Sequence, residues 1–144
     1  MTPSELKKTL AAAGFEVYRT LGDEIVLAER VRDNLIMDSG VRVKLAPHDR
    51  LEVRVILAIR RGQFPGEADG ALVERVRGLA ADLLTQGFAE HGTQTTSIHD
   101  PAEPTRILDT FVEVTFRHEG AGFDAIVPAL GHALAAAKTT DRER

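Results

Sequence analysis

An α+β fold, built on an antiparallel sheet with helices mainly on one face, is what the order of patterns in this sequence predicts. Three observations carry the prediction. Alternating apolar and polar residues recur from Phe15 to Ile59, an amphipathic helical stretch follows, and a second strand-rich stretch precedes a closing helix. The order α-β(3-4)-α-β-β-α is not the strict strand–helix alternation that a wound parallel sheet requires. The 144 residues suit a single domain over 1–138, with the wholly polar 139–144 expected to be a disordered tail.

Thr2-Pro3-Ser4-Glu5 reads as a capping box. The threonine can accept the Glu5 amide, and proline fits the first helical position. Leu6, Leu10 and Ala13 share one side of this helix, and Gly14 is placed to end it. Phe15 and Val17, then Ile25 and Leu27, alternate with polar neighbours around Leu21-Gly22-Asp23, which predicts a hairpin of 15–20 with 24–29. Residues 30–40 fit either a strand extension or a helical turn, and Asp38-Ser39-Gly40 reads as a break.

Val41, Val43 and Leu45 begin the next strand, and Ala46 to Arg50 is a turn. From Leu51 to Ile59 every odd residue is apolar, which turns that face to the core. A helix is expected over 67–86, with Leu72, Val76, Leu79, Ala80 and Leu83 as its stripe and Gly87 as its stop. Residues 88–99 and 106–117 form the last predicted hairpin. Leu108, Thr110, Val112, Val114 and Phe116 share the core face, while the polar partner, with Thr93 to Ser97 unbroken, suits a sheet edge. The closing helix is expected from Asp124, with Pro128 near its fourth residue and Ile126, Leu130 and Leu134 turned inward.

Composition narrows function by exclusion. The chain has 43% hydrophobic and 28% charged residues, no cysteine, no tryptophan and a net charge of −4. Disulfides and thiolate metal sites are excluded, and a reducing, cytoplasmic setting is the expectation. The apolar runs are too short for a membrane span, and the N-terminus lacks a signal-peptide pattern. The acidic balance disfavours nucleic acid. Arg42, Lys44, Arg54 and Arg60 could line one sheet face, but Glu16, Glu24 and Glu52 reach the same face, so a mixed-charge surface is expected.

Catalytic patterns are weak. Of the five histidines, His91 and His99 lie eight residues apart on one strand, about 26 Å. In a tight hairpin His91 would face Val114. No metal site and no cofactor is therefore expected. Gly62-Gln63-Phe64-Pro65-Gly66 leads into a helix without a phosphate-loop lysine, and Ser4, Ser39 and Ser97 lie outside any nucleophile-elbow pattern.

Across Thr2 to Lys138 the element order resembles the type III secretion chaperone-like fold, which also serves a family of bacterial sensory-transduction regulators. Residues 30–45 add a segment that this simple order lacks. The resemblance implies a homodimer that binds another polypeptide and has no catalytic activity. It transfers no individual site residue.

The leading functional expectation is a non-catalytic protein-binding module, chaperone-like or a regulatory adaptor, whose partners are a second copy of itself and an unidentified polypeptide. The alternative is a small-molecule-binding domain or small enzyme with a cleft between the central helix and the sheet. For the homodimer, the nominated surface is the sheet face away from the core. Val26, Ala28, Ile56, Ala58, Ile107 and Phe111 lie on it and would merge into an apolar patch rimmed by charge if their strands were neighbours.

Overall fold

The computed structural model describes residues 1–32 and 35–143, with side chains as far as 138. The elements run α1 (Pro3–Ala12), β1 (Val17–Leu21), β2 (Glu24–Arg32), β3 (Leu35–Ala46), β4 (Arg50–Arg60), a 3-10 turn (Arg61–Gln63), α2 (Asp69–Leu79), α3 (Ala81–Thr85), β5 (Ala89–His99), β6 (Ile107–Gly120) and α4 (Phe123–Glu143). The strands form one sheet in the order β1-β2-β3-β4-β6-β5. Every neighbouring pair is antiparallel. The class is α+β.

Local chemistry explains the first helix. Thr2 Oγ1 accepts the Glu5 amide at 3.2 Å, and the Phe15 amide reaches back to the Leu10 carbonyl at 3.0 Å, which satisfies groups a helix end would leave bare. Leu6 and Leu10 are buried, but Ala13 is exposed, because it caps the helix instead of lying within it. The odd residues Leu51 to Ile59 of β4 are all buried. They share one core with Leu72 and Val76 of α2, Ala80 at the junction, Leu83 of α3, and Ile126, Leu130 and Ala133 of α4.

The central helix, expected to be continuous over 67–86, divides at Ala80 (φ −90, ψ 4). Gly78, a poor helix former, stands just before the division. The closing helix begins at Phe123, so Pro128 is deeper in it than expected and removes the amide that would bond the Asp124 carbonyl. The tail expectation for 139–144 falls on residues whose side chains, and for 144 the backbone too, lie outside the described residues.

The largest departure from expectation is at Asp38-Ser39-Gly40. It does not break the chain; β3 runs through it as a bulge. Val26 opposes Arg42 and Ala28 opposes Asp38, so Leu27 alone faces three residues of β3. Ser39 Oγ donates to the Leu27 carbonyl at 2.7 Å and accepts the Val41 amide at 3.1 Å. Asp38 Oδ1 accepts the Gly40 amide at 2.8 Å. The short polar side chains thus occupy backbone groups that the ladder loses at a bulge. Gly40 has φ +81. β3 pairs with β4 from Val41 to Ala46, and from Asp38 toward Leu35 its partner is β2. The β2–β3 ribbon therefore parts from β4 at the bulge.

The last hairpin is also re-registered. Thr93, not His91, faces Val114, and His91 sits in a bulge between the Glu90–Phe116 and Gly92–Thr115 pairs. β6 reaches Gly120 and pairs along β4 as well. Val112, Val114 and Phe116 are in the core as expected, whereas Leu108 is 52% exposed because it lies near the hairpin's free end.

Candidate interaction surface

The face of the sheet away from the core carries charge in rows. Arg42 stands opposite Arg54, and Arg54 opposite Arg117. One level on, Lys44 stands opposite Glu52, and Glu52 opposite Glu119. Like charges facing each other across strands repel. Pairs along and across the strands offset the repulsion: Glu52 pairs with Arg54 on its own strand and with Arg117, and Arg42 with Asp38 on its own strand and with Glu24. Glu52 is 8% exposed, held between its two arginines. The face is thus of mixed charge, and Arg42, Arg54 and Arg117 on it are already engaged by carboxylates.

The six nominated apolar residues divide. Ile56 and Ala58 follow one another along the same face of β4, and Phe111 stands opposite Arg60 at the end of that strand. Val26 and Ala28 lie on β2, with β3 between them and β4. Val26 and Ala58 are at 0% and 3% exposure, so neither adds open apolar surface. Ile56 and Phe111 are half-buried, and Ile107 is exposed opposite His99 at the hairpin's end. One merged patch of six does not form, since it required β2 and β4 to be neighbours.

The most open element is β5. It is an edge of the sheet, and all of its residues except the half-buried Ser97 are exposed. Its pairing with β6 is regular from Gly92 to Ile98, between register shifts at Glu90/Gly92 and Ile98/His99. That run, Gly-Thr-Gln-Thr-Thr-Ser-Ile, contains no charge and no proline, the usual devices that protect an edge. The opposite edge, β1, is only 5 residues long and carries Arg19.

A charged clamp fixes the start of β5 to α2. Arg77 donates through Nε to Glu90 Oε1 at 2.8 Å and through Nη2 to Glu90 Oε2 at 3.0 Å, and it also pairs with Glu74. The hydrogen bonds from Arg77 hold the Glu90 carboxyl below its ordinary range and raise Arg77 in turn. Arg75 does the same to Glu67, and its guanidinium lies 3.9 Å from the centre of the Phe64 ring. A carboxylate lowered in the folded state contributes stability above its unfolded pKa, which is lost as pH falls through the folded value. The thermal midpoint of the wild type should therefore fall more steeply between about pH 5 and pH 3 than that of Glu90→Gln. Equal slopes in thermal melts would show that the clamp contributes nothing.

Cavities are modest. One of about 350 Å³ is lined by Met1, Leu45, Arg50, Leu51 and Phe123. The notch between α2 and the sheet, lined by Ile59, Phe64, Arg75, Gly78 and Leu79, is about 190 Å³, below the several hundred Å³ usual for a small-molecule site. Among the described residues, no three acidic or histidine side chains are placed to share a metal ion. Also among them, no helix is long and apolar enough to cross a membrane. His118 instead packs on Phe88 at a ring distance of 5.3 Å.

No family model matches the chain. Among solved structures it is similar to an uncharacterized protein from Methanothermobacter thermautotrophicus, with a TM-score of 0.51 at 11% identity, over 99% of this chain and 95% of that one. At that identity the likeness is one of fold.

Proposed function

We propose that this chain is a non-catalytic protein-binding module, chaperone-like or a regulatory adaptor, that takes an extended polypeptide strand at the open edge of β5. The carrying observation is that edge: 11 residues of backbone donors and acceptors, with a charge-free centre. Strand addition draws its affinity from such main-chain groups. The exposure of β5 and its place at the sheet's edge support the reading. The cytoplasmic, polypeptide-partnered role belongs to the same proposal. The small-molecule alternative rests on the notch beside Phe64, where Glu67 already pairs with the arginine.

The test is selection from a displayed library of linear peptides, followed by hydrogen exchange with the selected peptide bound. Slowed exchange at β5 amides is the expected result. If no peptide is enriched over scrambled controls, or if protection falls on Phe64 and Leu79 instead, the proposal is wrong.

A further inference from the structure

We infer that the polypeptide received at the β5 edge carries a cationic residue and a large apolar residue four positions apart. This rests on the reading of β5 as the contact element and names the side chains its partner must bring. The spacing comes from register. Val112 is buried and stands opposite Thr95. Thr93, Thr95 and Ser97 therefore share the core face of β5, and Gln94, Thr96 and Ile98 share the other. Behind this second row, on β6, Glu113 stands opposite Gln94, Phe111 opposite Thr96 and Asp109 opposite Ile98. A strand added to β5 repeats the alternation, whichever way it runs. Its residues beside Gln94 and Ile98 are then four apart and on one face.

The two ends of that row differ in chemistry. The Glu113 side chain is half-buried and has no ion pair among the described residues. The arginines that share its face, Arg42, Arg54 and Arg117, are held by other carboxylates. An added strand lies two strand spacings from β6, roughly 9–10 Å, a gap that an extended lysine or arginine and a glutamate span together. The net charge of −4 favours the same sign of partner. At the other end Ile98 is 38% and Ile107 55% exposed. Ile107, Asp109 and Phe111 alternate along β6 on this face, so Ile107 and Phe111 stand diagonal to Ile98. Asp109 between them turns Oδ1 to the backbone, accepting the Gly62 amide at 3.1 Å and the Thr110 amide at 2.8 Å. A large apolar side chain beside Ile98 covers this open surface. The β5 backbone holds any extended chain, and Glu113 and Ile98 choose among them.

Fluorescein-labelled peptides with blocked ends test the spacing by fluorescence polarisation against the full-length chain. TKTVTLT has the two residues four apart. TETVTLT reverses the charge, TKTVTST removes the apolar side chain, and TKTVLTT sets the pair on opposite faces. TKTVTLT should bind about five-fold more tightly than TETVTLT and about ten-fold more tightly than TKTVTST, and TKTVLTT should bind more weakly than TKTVTLT. Glu113→Lys should reverse the preference for lysine over glutamate, and Ile98→Ser should abolish that for leucine over serine. Each variant is read as a ratio of two peptides on the same protein, so any loss of folded material cancels.

Equal affinity for the four peptides overturns the inference, as does a lysine preference that survives Glu113→Lys. So does a displayed library that enriches β5-binding peptides lacking the pair, and in that case the protein-binding reading stands. A library that enriches no peptide overturns both.

Discussion

Phe116→Ala is expected to lower folding stability by about 3–5 kcal/mol, the cost of emptying a large buried aromatic site. Phe116 is 1% exposed and sits on β6, opposite Val55 of β4 and Glu90 of β5. Its ring therefore belongs to the core at the strand that joins the sheet's centre to its open edge. Denaturant unfolding should show a lower midpoint with an unchanged slope. Phe111→Ala, on the other face and half-buried, should cost less. A loss at Phe116 of under about 1 kcal/mol would mean that the core collapses around the gap. A large loss should also weaken peptide binding at β5, because that strand is paired through β6.

Gly40→Ala should cost about 1–2 kcal/mol from backbone conformation alone. Gly40 has φ +81, and an added Cβ would stand 3.1 Å from the Ile56 carbonyl oxygen. The two effects act together, since relieving the contact requires moving β3 away from β4 where they part. Gly131→Ala is the control: it lies in α4, where a Cβ would have no atom within 4 Å, and alanine is the better helix former by about 1 kcal/mol. Thermal or denaturant unfolding of the two variants should move in opposite directions. A neutral Gly40→Ala would show that the bulge adapts without strain.

Strand addition depends on an element whose side chains are unremarkable. Thr93 to Ser97 contributes no charge and little apolar mass, which is why the sequence marks it as an edge without marking it as a site. The nominated patch drew attention instead because Ile56 and Phe111 are large and apolar on a face expected to be polar. Their half-burial leaves less open surface than their composition suggests. Glu52 is the opposite case: by type it reads as a solvated charge, yet it is 8% exposed, because Arg54 and Arg117 close over it from two strands. Arg54 is a near neighbour on the same strand, but Arg117 comes from β6, and no local pattern brings it there.

What the sequence determined by itself is what short-range periodicity and capping determine: the first helix from Thr2 and Glu5, the buried odd face of β4, and the polar character of β5. These are set within a few residues by helix geometry and by the strand's two-residue repeat. What only the tertiary structure decided is who stands beside whom. β3 lies between β2 and β4 and separates Val26 from Ile56; β6 takes the place next to β4 and leaves β5 on the edge. The bulge at Ser39 and Gly40 and the shift of His91 out of register arise where backbone hydrogen bonds are traded between strands. Such choices are made by long-range pairing and by the packing of one common core, and no window of sequence contains both partners.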